Sequence, residues 1–308
     1  MLSKMLIAVL LLSPLSVVAE SDEPKTSTPS IGLALGSGGA GGLAHIAMLQ
    51  VFDDLKLKPD QIVGTSIGAV IGVLYAAGLS AEQIEEIFDE FGGSRLDALS
   101  HLALSDTELN LSDLFDVDID NGGLIDSTAF LDFLAAKIEA RTFKDLMIPM
   151  KVVATDYWTG ETIVLSKGDL FAAVKASIAV PGLFSPVPHG ERLLVDGGTS
   201  NPLPFHLLRG SHDLVVAIDV TGSRAPGDET KVGFTEVFFK TFEIMQQSII
   251  SAQMSHQKPD VYIKPDTSNI RLLHFNRLKQ IHKQAEPAAD ELKQKLLELL
   301  DKKQQHGS

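Results

Sequence analysis

The sequence predicts an α/β fold, a mostly parallel sheet with helices on both faces. Three observations predict it. Short continuous apolar runs such as Ile31–Leu35 read as strands buried on both sides. Longer Ala-, Ile- and Leu-rich stretches with helical periodicity alternate with those runs. Glycine-rich turns stand at the joints between strand and helix. With 308 residues, 44% apolar and 21% charged, the chain is long and apolar enough for one large domain or two modest ones.

Residues 1–19 have the form of a cleaved signal peptide. Lys4 gives a positive start, Met5–Leu12 is apolar, Pro14 interrupts it, and Val17-Val18-Ala19 is a small-residue cleavage site. The apolar run is shorter than the ~20 residues of a membrane span, so export to the periplasm or medium is expected, with cleavage after Ala19. Residues 20–30 are a polar linker, and residues 31–308 one domain with its C-terminal helix. Strand Ile31–Leu35 leads through Gly36-Ser37-Gly38-Gly39-Ala40-Gly41-Gly42 into a helix over Leu43–Leu55. Strand Gln61–Gly64 and helix Ile67–Ala77, closed by Gly78, follow, and Ser80 caps the next helix. Further strands are expected at Met150–Ala154, Thr162–Leu165, Arg192–Val195, Leu214–Val220 and Val261–Lys264. Helices are expected over Ser127–Ala140, Asp169–Ser177, Phe234–Ser255 and Leu278–Leu300, the last carrying a leucine stripe suited to core packing.

Charge and composition narrow the partners. The net charge of −14, with no basic cluster, argues against nucleic acid and against electrostatic docking on anionic lipid. The absence of cysteine removes disulfides, thiolate chemistry and lipidation at a thiol. No run of alternating strands suggests a membrane barrel.

Gly64-Thr65-Ser66-Ile67-Gly68, set between a buried strand and an Ala-rich helix, is a nucleophile elbow. It presents Ser66 at the strand's C-terminal edge, and the helix N-terminus behind it favours developing negative charge. A serine hydroxyl attacks only when a base takes its proton. Asp196, followed by Gly197 and Gly198 after the strand Leu193-Leu194-Val195, is the candidate base; its plainer reading is a turn residue capping its own backbone. Successive glycine amides in the first turn can converge on one oxygen and form an oxyanion hole.

Competing readings exist for several of these residues. Gly36, Gly38 and Gly41 match a dinucleotide fingerprint, but Asp53, Asp54 and Asp60 stand in the wrong places for its acidic partner. Asp116, Asp118 and Asp120 have calcium-loop spacing, yet Asn121 and Ser127 occupy positions that need Gly and Glu. The loop Ser223–Gly233 is a flap or a plain connection. His45 reads as structural, His189 as a turn residue in a hairpin over Pro186–Arg192, and Trp158 and Phe184 as packing. Asp156 and Asp219, at other strand ends, compete as bases but lack the glycine pair.

The order and spacing of these segments resemble the patatin-like phospholipase family. Ile31–Ile46 is similar to its glycine-rich turn, and Gly64–Gly68 to its elbow. Ala154–Asp156, Thr159–Glu161 and Ala176–Val187 are similar to its middle, and Val195–Pro204 to its aspartate segment. The resemblance runs from Ile31 to Val220 and implies a three-layer α/β/α sandwich with Ser66 as nucleophile, Asp196 as base and the Gly38 and Gly39 amides as oxyanion donors. It implies a metal- and cofactor-free acyl hydrolase of lipids, with transient membrane contact. Gly36, Gly41, Gly42, Gly64, Gly68, Gly197 and Gly198 support the motifs. One position departs: the family usually has Arg or Lys where this chain has Gly41. The alternatives are therefore an acyltransferase, or a lipid-binding protein with weak turnover.

Overall fold

The structure, a computed structural model, describes residues 29–94, 127–222, 234–270 and 272–306. The signal segment, most of the linker, the acidic loop with Asp116, Asp118 and Asp120, and the Ser223–Gly233 loop lie outside the described residues.

The strands are β1 (Ile31–Leu35), β2 (Gln61–Thr65), β3 (Met150–Asp156), β4 (Thr162–Leu165), β5 (Val187–His189), β6 (Arg192–Asp196), β7 (Leu214–Ile218) and β8 (Val261–Ile263). The helices are α1 (Ala44–Asp54), α2 (Ile67–Ala76), α3 (Ala81–Ser94), α4 (Thr128–Ala135), α5 (Leu170–Ser177), α6 (Phe234–His256) and α7 (Leu278–His306). All strands join one sheet through β3: β4 pairs along one of its edges, and the runs β5-β6 and β2-β1-β7-β8 both adjoin the other. The pairs β3–β2, β2–β1, β1–β7 and β7–β8 are parallel, while β4, β5 and β6 join antiparallel.

The register of β3 positions the site. β2 pairs with Met150–Val153, β4 with Val152–Thr155, and β6 with Ala154–Asp156. A residue has one partner on each edge of its strand. β4 shares residues with both β2 and β6, so β2 and β6 lie on the opposite edge from it, one after the other. The strand that ends before Ser66 and the strand that ends in Asp196 therefore meet end to end.

Side chains alternate between two cores, as a sheet covered on both faces requires. Leu33, Leu35, Ile62, Val152, Val216 and Ile218 face the larger core under α1, α2, α3, α5 and α7. Ala34, Val63, Val153, Val215 and Ala217 face a smaller one, closed by Phe205, Leu208 and Ile250 of α6. The leucine stripe of α7 is core: Leu278, Ile281, Leu292 and Leu296 are buried. Helix α4 stops at Ala135, short of the expected Ala140, where the Lys137 amide donates to Leu134 O at 3.0 Å, a tighter turn in place of the next helical bond. Among the described residues no helix is long and apolar enough to cross a membrane.

Candidate active site

Ser66 stands between β2 and α2 with φ 55° and ψ −122°, in a region that side chains other than glycine avoid. Such a residue costs about 1–3 kcal/mol and persists only where its surroundings fix it. Here the Ser66 amide donates to Ser177 Oγ at 2.8 Å, and the Ser177 hydroxyl donates to Val153 O at 2.6 Å. Ala69 and Val70 amides hold the Ser66 carbonyl at 2.8 and 3.1 Å. Gly68 lets α2 approach the glycine-rich turn, since a Cβ there would lie 2.2 Å from Leu35 O. Gly64 lies beneath the same first turn of α2.

Asp196 closes β6, and the end-to-end meeting of β2 and β6 brings it to Ser66. The Ser66 hydroxyl donates to Asp196 Oδ2 at 2.6 Å, and the Gly198 amide donates to Oδ1 at 2.6 Å. The carboxylate is 1% exposed. Burial pushes its pKa up to about 7, against the opposing pull of the Ser66 and Gly198 hydrogen bonds. Gly197 packs under Thr65, and Gln246 of α6 fills the space a Cβ on Gly198 would need, its Nε2 only 2.2 Å from that point.

The glycine-rich turn lies against the elbow. Gly36 donates to Ile218 O, Ser37 to Pro202 O and Ala40 to Leu272 O. Between these anchors the Gly38 and Gly39 amides donate to no protein acceptor among the described residues. Gly39 lines the same cavity as Ser66. Gly42 abuts Ile67 of the elbow helix. His45 Nε2 donates to Gly36 O at 2.9 Å, and complete burial lowers its pKa to about 4, so the ring is neutral and braces the turn. Gly41 is buried, and a Cβ there would meet Thr267 Oγ1 at 3.3 Å and Val220 O at 3.4 Å.

The competing carboxylates are occupied elsewhere. Asp156 Oδ1 accepts from the Trp158 and Thr159 amides, and its Oδ2 pairs with Arg192 at 3.1 Å. Burial alone would raise its pKa, but those bonds outweigh it and hold the carboxyl below the usual range. Asp219 is bound by Lys264 Nζ at 3.1 Å, Tyr262 Oη at 2.6 Å and the Thr221 amide at 2.9 Å. Asp60 accepts the Ile31 amide, and Asp53 the Tyr75 hydroxyl, both structural roles. His189 is exposed on the β5–β6 hairpin, opposite Arg192.

One aromatic expectation is corrected. Trp158 does not pack into the protein; it is 74% exposed and makes an edge contact with Tyr157, because the tight turn after β3 directs both outward. Phe184 is half-buried and lines the cavity beside Ser66, because Val180–Phe184 forms a turn over the elbow. That cavity has a volume of about 80 Å³ and an apolar wall that includes Val70, Val180, Leu183 and Phe275. Two residues that shape the site were not singled out from sequence: Ser177 and Gln246. Ser177 lies in the Ala176–Val187 segment, whose order was visible, but its bond to Ser66 spans 111 positions.

Comparison with known proteins places these features in a family. A family model described as patatin-like phospholipase matches residues 33–209, more than half of the chain. The uncharacterized NTE family protein Rv1063c of Mycobacterium tuberculosis is 36% identical over 201 residues, covering 65% of this chain and 51% of that protein. Mouse patatin-like phospholipase domain-containing protein 6 is 30% identical over 207 residues, covering 66% of this chain and 14% of that protein. The chain thus spans about half the length of the first relative and much less of the second. Among solved structures, VipD from Legionella pneumophila aligns with TM-score 0.46 and 16% identity, over 86% of this chain and 67% of that one.

Proposed function

The chain belongs to the patatin-like phospholipase family, and on that premise we propose that it is a serine acyl hydrolase of lipids working through a Ser66–Asp196 dyad. The observation that carries the reading is the 2.6 Å hydrogen bond from Ser66 Oγ to a buried carboxylate with no cation beside it among the described residues. Asp196 in its ionised form takes the Ser66 proton as Oγ attacks the acyl carbonyl. The oxygen of the tetrahedral intermediate accepts from the Gly38 and Gly39 amides, a contribution of about 3 kcal/mol per donor in such sites. Collapse breaks the ester bond, and the departing alcohol takes the proton from Asp196. The same carboxylate then removes a proton from water, which attacks the acyl-enzyme and releases the fatty acid with Ser66 restored. The apolar cavity beside Ser66 suits the start of an acyl chain. Its 80 Å³ is far below the ~300 Å³ at which drug-sized pockets begin, so it accommodates only the first part of a long chain.

The test is fatty-acid release from phosphatidylcholine and from a soluble short-chain ester by the purified protein. Ser66→Ala should abolish both with thermal unfolding nearly unchanged; retention of more than a few per cent of activity removes Ser66 as nucleophile. The signal-like residues 1–19 support export. Fractionation of expressing cells followed by N-terminal sequencing checks this, with a periplasmic or secreted product beginning at Glu20 as the expected result.

A further inference from the structure

Helix α6 has two unlike faces. The inner face is tied to the body: Ile250 is buried in the smaller core, Gln247 Nε2 donates to Gly222 O at 2.6 Å, and Gln253 Nε2 donates to Asn201 Oδ1 at 3.0 Å. The outer face over residues 237–248 consists of Val237, Phe238, Thr241, Ile244, Met245 and Ser248, at spacings that align them on one side of the helix. Val237 is 50%, Ile244 50% and Met245 51% exposed. That face carries no charge. The two ionic side chains of this stretch, Lys240 and Glu243, lie off it and pair with each other at 2.7 Å. In a chain of net charge −14 an uncharged apolar strip of three helical turns is conspicuous, whereas exposed apolar residues such as Met147 and Leu297 stand singly.

The strip begins at the rim of the cavity. Phe238 Cζ lies 3.5 Å from the position of a Cβ on Gly182, and the next residues, Leu183 and Phe184, line the cavity that opens on Ser66. We propose that this face of α6 docks the protein on a lipid surface of no net charge, presenting the cavity mouth to the bilayer. The charge of the partner follows from that of the protein: an anionic surface would repel it, while a zwitterionic one leaves the apolar contact to act. The proposal deepens the lipid-hydrolase reading and rests on it for its purpose, while the docking itself is measured without turnover.

The experiment is co-sedimentation of the Ser66→Ala protein with phosphatidylcholine vesicles, compared with the same protein carrying Ile244→Glu and Met245→Glu. Val237→Glu is a second variant, one helical repeat away, and Leu297→Glu on α7 a control. The charged α6 variants should partition at least ten-fold less, and Leu297→Glu as the parent does. With Ser66 intact, Ile244→Glu/Met245→Glu should hydrolyse a soluble short-chain ester at the parent rate and lose hydrolysis of vesicle lipid. The proposal is overturned if the parent does not bind phosphatidylcholine vesicles, if the charged variants bind as well as the parent, or if binding requires anionic lipid. It is equally overturned if the parent is a dimer that the α6 variants dissolve without changing vesicle binding, which would make a second copy the occupant. Docking as expected without hydrolysis of any ester would leave this proposal standing and remove the hydrolase reading.

Discussion

Asp196 and Asp219 are two aspartates at strand ends, each 1% exposed, and their surroundings differ in kind. Asp219 sits among donors: the Lys264 ammonium, the Tyr262 hydroxyl, and the Thr221 amide and hydroxyl. Asp196 has one amide and the hydroxyl of Ser66. A buried carboxylate saturated with donors and paired to a cation has its lone pairs committed, and its value is structural. One left with few donors stays basic and costs stability to ionise. The difference teaches that burial and position at a strand end do not set the proposed base apart from Asp219; the poverty of its hydrogen bonding does.

The most direct way to break that contrast is to neutralise each in turn. Asp196→Asn should lower the rate of ester hydrolysis by about 10³-fold, since the amide cannot take the Ser66 proton. Asp219→Asn should leave activity per folded molecule within a few-fold but cost roughly 2–3 kcal/mol of stability, less than a fully buried pair because Lys264 is 31% exposed. Chemical denaturation and a chromogenic ester assay on both variants decide it. The opposite pattern, an active Asp196→Asn and a dead but stable Asp219→Asn, would reverse the assignment.

The pH dependence sharpens it. The folded pKa of Asp196, about 7, lies above its unfolded value near 3.9. Its contribution to stability is therefore fully present below the unfolded value and lost as pH rises through 7. Asp196→Asn removes that loss, and the variant should be more stable than the parent above pH 7, by up to roughly 4 kcal/mol. Activity has the opposite trend, because the ionised form is the base: kcat/KM should rise from pH 5 and level off with a midpoint near 7. His45, neutral throughout this window, should not move that midpoint when changed to Phe. Differential scanning fluorimetry and rate profiles from pH 5 to 9 test both statements.

Smaller effects come from the residues that hold the two turns. Ser177→Ala leaves the Ser66 amide without its acceptor, a loss of about 1–3 kcal/mol in such cases. It should lower kcat about ten-fold with KM little changed. The smallest effect is expected at Gly41. A Cβ there meets its neighbours at 3.3–3.4 Å and the residue is not in the left-handed region. Gly41→Ala should change stability by less than about 1 kcal/mol and activity by less than two-fold.

The contrast between the two aspartates also marks how far sequence carries. The elbow, the glycine-rich turn and Asp196-Gly197-Gly198 were legible because each is a local pattern, with strand, turn and helix signals within ten or so residues. Their partners were not. The bond from Ser66 to Ser177, the amide of Gln246 behind Gly198 and the donors around Asp219 all come from elements distant in sequence, and no periodicity encodes them. Nor does any pattern in β6 announce that it continues the edge vacated by β2; strand pairing fixes that. Helix α6 was legible as a helix, but the uncharged outer face could be told from a core face only once the sheet showed which side Ile250 takes.

One measurement bears on the dyad most directly: the rate of covalent labelling of the protein by a fluorophosphonate as a function of pH, with the labelled peptide identified by mass spectrometry. The expected result is modification at Ser66 alone, with a rate that climbs through a midpoint near pH 7 and falls by orders of magnitude in Asp196→Asn. Labelling at another serine, or a pH profile that survives unchanged in Asp196→Asn, would contradict it.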